Sequence, residues 1–257
     1  MNKDKLRQTI NVFAILITLA VNGLANALPL NGHTTGEISD MFTVYFIPAG
    51  YVFSIWGIIY LFLIGFAIYQ ALPSQREDPR LRSIGYIFAL SCLANSTWIF
   101  LWHYLLFPWT LLVMTALLGL LIAIYLRLGI GQARVAPAEA WLVDVPFSIY
   151  LGWISVAAIS NATVLLAYLG WNGWGIPTSV WAIIMLAAAT LIASLVSLRR
   201  GDVAYALVIV WAFAGIAIQQ SATPAVSIAA WVASGLAALM LVVGLFFYEL
   251  RRQSGKG

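Results

Sequence analysis

Inside the long apolar stretches of this sequence, the side chains that could do chemistry are amides, hydroxyls and tryptophans. Asn95, Trp98 and Asn161 are examples. An amide both donates and accepts hydrogen bonds, and a broad aromatic face beside it suits a flat, mostly apolar ligand with a few polar atoms. The simpler alternative is that such amides only join helices, each hydrogen bond contributing about 0.6–2 kcal/mol.

Patterns that indicate catalysis or metal binding are missing from the sequence. It has no P-loop, no GxSxG and no HExxH motif. Two histidines, His33 and His103, are too few for a histidine metal site unless carboxylates complete it. Cys92 is the single cysteine, so neither a disulfide framework nor a thiolate cluster can form. We therefore assign no catalytic residue, no metal and no cofactor, and we do not expect a hydrolase or a metalloenzyme.

The composition excludes an ordinary soluble protein. Of the 257 residues, 63% are hydrophobic and only 9% are charged, and 11 are tryptophan. Soluble domains carry about 25% charged residues. The fold class that fits is all-α, a polytopic membrane protein whose helices cross the lipid bilayer.

The spacing of the charged residues predicts eight transmembrane helices. A helix that crosses the bilayer needs about 20 apolar residues. Two charge-free stretches can hold one such helix each, and three longer ones can hold two helices joined by a turn. The predicted helices span residues 8–29, 51–72, 82–104, 107–127, 141–169, 177–198, 203–220 and 225–248.

The basic residues indicate how these helices are oriented. All 13 Lys and Arg residues lie in five clusters, each two predicted helices from the next, and the opposite loops contain none. The positive-inside rule then places both termini in the cytoplasm, which in a bacterium means the inner membrane. The net charge of +4 is thus a sign of topology, and we predict no nucleic-acid partner. The clusters are Lys3–Arg7, Arg76–Arg82, Arg127–Arg134, Arg199–Arg200 and Arg251–Lys256.

An alternative interpretation of the amino terminus is a cleaved signal peptide. Basic residues at 3–7, an apolar core at 12–21 and small residues around 25–27 fit that pattern. Cleavage would leave seven helices, the number found in retinal proteins, but no lysine lies within a predicted helix to form a Schiff base. We favour the form with eight helices.

No Asp, Glu, Lys or Arg lies near the middle of any predicted helix. Carriers coupled to protons or ions usually keep an ionisable residue at that depth. Coupled transport is therefore disfavoured, whereas a carrier for a neutral apolar molecule stays open.

Amides and aromatic residues fall together in the outer half of the predicted helices, away from the basic clusters. Asn22 and Asn26 are four residues apart and share one face of the first helix. At a rise of about 1.5 Å per residue, Trp56, Asn95 and Asn161 fall in the same layer of three other helices.

The loop at residues 31–50 is the long loop on this outer side, and it carries Glu37 and Asp40. Such a loop could cover a pocket that opens outward. A merely solvated loop is an equally good interpretation.

Three motifs lie in the predicted second, third and fifth helices. Residues 45–60 read YFIPAGYVFSIWGIIY and residues 95–98 read NSTW. In the fifth helix Trp153 follows Tyr150 by three residues and Asn161 follows Trp153 by eight. In kind and in order these motifs resemble those of the translocator protein / tryptophan-rich sensory protein (TspO/MBR) family.

The sequence departs from the family pattern at three places. Tyr51 stands where the family has the first tryptophan of its second-helix signature. Ala49 stands for the second proline of a Pro-Pro pair, and Pro146 lies four residues before Tyr150 instead of next to it.

The resemblance covers residues of about 8–169 and implies a five-helix bundle, often dimeric, that binds porphyrins, sterols or aromatic drug-like molecules under the first loop. On this basis residues 1–170 form the TspO-like unit, and residues 171–257 add three helices and a basic tail. The residues implied to bind the ligand are Trp56, Asn95, Trp98, Trp153 and Asn161. The implied rim of the pocket consists of Asn22, Asn26, Tyr51, Phe53 and His103.

The expected function is that of an integral membrane sensor or binding protein for a flat hydrophobic ligand such as a porphyrin or haem. A carrier for a neutral apolar molecule is the alternative, suggested by the three added helices. A porphyrin-degrading enzyme comes third, because the sequence offers it no acid–base pair. His103 is expected to be a structural histidine, with contact to a haem iron as the alternative.

Overall fold

The apolar stretches form eight long helices in the predicted order. The computed structural model of the chain describes residues 3–28 and 30–254, and every regular element there is helical. The all-α polytopic membrane fold is thereby confirmed, and the observed bounds differ from the predicted ones by a few residues. The helices are α1 Lys3–Ala27, α2 Ile55–Ala71, α3 Ile87–His103, α4 Phe107–Arg127, α5 Val145–Tyr168, α6 Thr178–Arg200, α7 Val203–Gln219 and α8 Pro224–Ser254.

Length and hydropathy agree with a membrane location. Six of these helices are long and apolar enough to cross a bilayer, and α3 and α7 are apolar helices of 17 residues. Large apolar side chains also cover the outer surface, where Leu61, Leu93 and Phe246 are each more than 60% exposed. Such a surface is stable against lipid tails and would be unstable against water.

The start of α5 has a local reason in the sequence. A helical turn at Pro137–Glu139 and a wider π-helical turn at Ala140–Asp144 precede it. The amide of Val145 donates to the carbonyl of Ala140, five residues back. Since Pro146 has no amide hydrogen to give to the residue four positions back, the wider turn lets the chain continue into α5 without a break.

Helices α1 to α5 form one bundle, and α7 joins it to the two other long helices, α6 and α8. Within the bundle, α3 packs on α1 and α4, and α5 packs on α4 and α2. Helix α7 packs on α5 and on the 3₁₀ turn Gly50–Ser54 that precedes α2. Helix α8 packs along α6 and α7. The three helices after residue 170 are therefore anchored to the bundle mainly through α7.

Four of the five basic clusters meet at one end of the molecule. Arg82 pairs with Asp4 at 2.6 Å, and Arg80 donates to the carbonyl of Leu128. Arg200 in turn donates to the carbonyl of Ile130. The side chains of the fifth cluster lie outside the described residues. This arrangement agrees with the single basic face that the sequence predicts, and its assignment to the cytoplasm stays a prediction.

Candidate functional site

Residues 30–49, which we call the lid, fold over the end of the bundle opposite the basic clusters. Within the lid, Thr35–Asp40 forms a short helix with a reciprocal cap at its start. The Glu37 amide donates to the Thr34 hydroxyl, and the Thr34 amide donates to the Glu37 carboxylate at 2.7 Å. These hydrogen bonds favour the charged carboxylate and lower the pKa of Glu37 below its ordinary value. The lid is thus a folded element.

His103, at the end of α3, holds the lid in place. Its ring is fully buried, and Nδ1 lies 3.2 Å from the carbonyl of Leu30. Its Nε2 lies 3.0 Å from the Thr35 hydroxyl. Because a carbonyl can only accept, Nδ1 carries the proton and Nε2 accepts from Thr35. Both ring nitrogens are therefore engaged by the lid, which is a structural role.

A second pair of contacts fastens the lid to the end of α3. The Trp102 indole donates to the carbonyl of Thr35 at 3.1 Å. The Asn31 amide donates to the carbonyl of His103 at 3.0 Å. The lid is therefore attached to α3 by a few hydrogen bonds that can break without unfolding a transmembrane helix.

A cavity lies beneath the lid, which we call the lid cavity. It is walled by the lid, the turn before α2, and side chains of α2, α3, α4 and α5. Four of the five residues implied to bind ligand by the family resemblance line it, together with Phe53 of the implied rim. The four are Trp56, Trp98, Trp153 and Asn161.

The walls of the lid cavity are mostly aromatic. The Trp56 and Trp153 rings meet edge to face with centroids 6.2 Å apart, and Phe53 meets Trp153 in the same way at 5.6 Å. On the α3 side, Trp98 and Trp102 stack at 5.2 Å. Flat faces turned to a common space favour a planar apolar ligand.

Asn161 reaches its neighbours through both ends of its amide. The Trp98 indole donates to its oxygen at 3.0 Å, and its NH₂ group donates to the Thr110 hydroxyl at 2.9 Å. The Thr110 hydroxyl in turn donates a hydrogen bond to the carbonyl of Phe107. These bonds connect α3, α4 and α5, so Asn161 fixes the orientation of the Trp98 ring in the cavity wall.

Trp153 contributes a polar group that the described residues leave unused. The side chain is 2% exposed, and its Nε1–H has no hydrogen-bond partner among them. Burial of such a donor costs free energy unless an acceptor meets it. Since Trp153 lines the lid cavity, an acceptor atom on a bound molecule could satisfy this group.

Asn95 and Asn22 lie away from the lid cavity. The Asn22 amide donates to the Asn95 oxygen at 2.7 Å, and the Asn95 amide donates to the Tyr150 hydroxyl at 2.8 Å. Both asparagines are buried where α1, α3 and α5 meet. The position of Asn95 differs from that implied by the resemblance because its face of α3 turns toward α1, so it joins helices instead of lining the wall.

Two residues of the implied rim are also elsewhere. Asn26 is exposed, and its amide donates to the carbonyl of Asn22 one turn earlier in α1. Tyr51 is 46% exposed and meets Trp211 of α7 edge to face at 5.2 Å. Neither side chain reaches the lid cavity.

Several residues that line the lid cavity lie outside the three sequence motifs. Trp102 follows Trp98 by four residues, so the helical period places both on one face and could have identified it. Thr35 and Ser39 reach the cavity only because the lid folds back, and no local pattern predicts that contact.

The lid cavity is small as it stands. Its volume is about 50 Å³. Pockets for drug-sized ligands are roughly 300–1,000 Å³, and a single water needs about 10–15 Å³. A planar macrocycle therefore requires the lid or the surrounding side chains to move.

Comparison with known proteins gives one match. The family model described as TSPO-like protein matches residues 8–243. This range includes the lid, all of α6 and α7 and most of α8, and so extends beyond the residues that carry the sequence motifs. No curated protein and no solved structure matches the chain.

Proposed function

Because the chain belongs to the TSPO-like protein family, we propose that it is an integral membrane binding protein that senses a flat, mostly apolar ligand such as a porphyrin in the lid cavity. Trp56, Trp98 and Trp153 supply the aromatic faces that such a ligand requires. The family match supports a membrane binding or sensor protein, and the aromatic faces support a planar ligand.

The observation that carries this proposal is the unused indole N–H of Trp153. It is a buried donor on a residue that lines the lid cavity. A ring nitrogen or a carboxylate oxygen of a tetrapyrrole can accept from it. One hydrogen bond formed in this way contributes about 1–1.5 kcal/mol, which is roughly tenfold in affinity.

The small volume of the lid cavity suggests how binding becomes a signal. A large planar ligand needs the lid or the side chains around the cavity to move, and where the lid moves the ligand selects the open form. The apparent affinity then depends on the fraction of molecules whose lid is open. A partner protein that binds the lid in only one of its positions would then respond to the ligand.

The proposal is tested by titrating the purified protein with protoporphyrin IX and following tryptophan fluorescence. Trp153→Phe keeps an aromatic ring at this position and removes the N–H. We expect quenching that still saturates, with an affinity for protoporphyrin about tenfold weaker than that of the original protein. Trp109→Phe is the matched control, since Trp109 is 59% exposed on the outer surface. Quenching that is linear and identical in all three proteins would mean that porphyrin only partitions into the detergent.

A carrier for a neutral apolar molecule is the second candidate. The observation that favours it is a separate cavity of about 740 Å³ between α2, α5 and α7, toward the basic end. The two cavities lie on either side of the same short segment. Phe53 and Trp56 line the lid cavity, and Ser54 and Ile55 between them line the larger one. Uptake of protoporphyrin into proteoliposomes would support a carrier, whereas binding without uptake would support a sensor.

A further inference from the structure

The larger cavity, which we call the basal cavity, has the size of a binding site in its own right. Its volume of about 740 Å³ lies within the roughly 300–1,000 Å³ of small-molecule pockets. It shares no lining residue with the lid cavity. What it can bind is therefore a question separate from the proposed porphyrin site.

The walls of the basal cavity are apolar and aromatic. Trp141, just before α5, stacks near Phe62 of α2 with a ring separation of 6.5 Å. Trp211 of α7 and Tyr248 of α8 add two further rings. The faces of indole and phenol rings carry negative charge density and attract cations.

Asp202, which caps the start of α7, lines this cavity. It is only 7% exposed. One oxygen accepts from the Tyr125 and Ser148 hydroxyls at 2.7 Å each, and the other accepts from the amide of Tyr205. All three donors are neutral, and among the described residues no Lys, Arg or His side chain lies within ion-pair distance of this carboxylate.

The other charged groups around the basal cavity are engaged elsewhere or exposed. Asp144 is paired with Arg80 at 2.7 Å. Arg200 donates to a backbone carbonyl and lies over the Tyr125 ring, 5.1 Å from its centre. Arg134 lines the cavity but is exposed, so solvent and salt screen its charge. Among the described residues that line the cavity, Asp202 is therefore the buried charged group without an ion-pair partner.

We propose that the basal cavity binds a lipophilic organic cation, a molecule with an apolar or aromatic body around one positively charged centre. The body contacts Ile55, Ile58 and Leu207, and the charge lies toward Asp202, on the side where the Tyr248 ring packs against Gly201. A carboxylate acts over a longer range in this apolar surrounding than in water, because the local dielectric constant is low. The chemistry selects the sign of the ligand's charge as well as its shape.

The test uses two probes of the same shape and opposite charge, tetraphenylphosphonium and tetraphenylborate. The full-length protein in lipid nanodiscs is dialysed to equilibrium against radiolabelled tetraphenylphosphonium. We expect saturable binding of one cation per chain, and no saturable binding of tetraphenylborate when that probe is dialysed against the protein separately. Binding that never saturates, or equal binding of the borate, would overturn the proposal, since the cavity would then not select a cation.

Variants locate the bound cation. Asp202→Asn keeps the shape and the cap of α7 but removes the charge, and we expect at least tenfold weaker binding of tetraphenylphosphonium. Glu77→Gln is the matched control, because it removes a charge at the same end from a side chain that is 73% exposed. Equal affinity in both variants would overturn the role of Asp202.

A steric variant keeps the proposal testable if Asp202→Asn folds poorly. Leu207→Trp fills the cavity from α7 and should abolish binding, whereas Leu239→Trp places the same ring on the exposed side of α8 and should leave it unchanged. Protoporphyrin titration of the same samples separates the two sites. In the unsubstituted protein, cation binding without porphyrin binding would count against the lid cavity alone, and porphyrin binding without cation binding would count against the basal cavity alone. In Leu207→Trp we expect cation binding to be lost and porphyrin binding to be kept, since the two cavities share no lining residue.

Discussion

At the scale of the residue, Trp98, Asn161 and Thr110 behave as one hydrogen-bonded unit across three helices. Each amide atom of Asn161 has a defined partner, at 3.0 Å and 2.9 Å. The bonds lie in the cavity wall, where broken ones cannot be replaced cheaply by water. The unit therefore supports both the bundle and the orientation of an aromatic face.

We predict that Asn161→Ala lowers the free energy of unfolding by about 1–3 kcal/mol, because it leaves the Trp98 indole unpaired in a buried place. Cys92 is buried and is the single cysteine, so its labelling by a thiol-reactive dye during heating reports unfolding. Asn26→Ala is the matched control, since that amide is exposed and bonds within its own helix. Equal midpoints for the two variants would contradict the prediction.

At the scale of the element, the lid depends on His103. The ring holds Leu30 and Thr35 from the end of α3. We predict that His103→Phe, which keeps a ring and removes both hydrogen bonds, makes the lid several-fold more sensitive to cleavage after Glu37 by a glutamate-specific protease and speeds protoporphyrin binding. His33→Phe makes the same change within the lid itself and should have little effect. Unchanged or slower porphyrin binding in His103→Phe would show that the His103 hydrogen bonds to the lid do not limit access to the cavity.

Helix α7 belongs to the architecture of the site although it follows the five-helix bundle in sequence. The amide of Ala49 donates to the carbonyl of Gly215 at 3.1 Å, and Trp211 lies 3.5 Å from the carbonyl of Val52. These contacts hold the turn that positions Phe53 for the lid cavity. The close approach requires a residue without a side chain at position 215, because a Cβ there would collide with Val52.

We predict that Gly215→Ala lowers the free energy of unfolding by about 1–3 kcal/mol, as overpacked cores do. It should also weaken porphyrin binding by displacing the turn before α2. Gly235→Ala in α8 is the matched control, since a Cβ there meets nothing within 4 Å. Dye labelling of Cys92 on heating and protoporphyrin titration measure the two effects. If both variants behave alike, α7 is not needed to support the cavity.

At the scale of the whole molecule, the helices separate a basic end from an end that carries the lid. We predict that the basic end is cytoplasmic. In a Cys92→Ala background, Ser74→Cys should react with a membrane-impermeant maleimide only from the cytoplasmic side. Asn172→Cys, at the opposite end, should react only from the other side. Labelling of both cysteines from the same side would contradict the topology.

Much of the architecture could be predicted from the sequence because the bilayer imposes it. A helix must be apolar over its whole crossing, so the charge-free stretches predicted all eight long helices and their order. The basic clusters predicted which loops share one end of the molecule, because charged loops stay outside the bilayer and basic ones collect on one side of it. The motifs around Trp56, Trp98 and Trp153 identified residues that line one cavity, since short motifs report which face of a helix is used.

Only the tertiary structure decided which amides face the cavity. Asn95 and Asn161 have the same chemistry in similar layers, but rotation about the helix axes directs one toward α1 and the other toward the indole of Trp98. The return of the lid, the small volume beneath it and the contact of Gly215 with the turn before α2 join residues far apart in the chain. Such contacts depend on how helices pack against one another, and apolar helices can pack in several ways that their sequences do not distinguish.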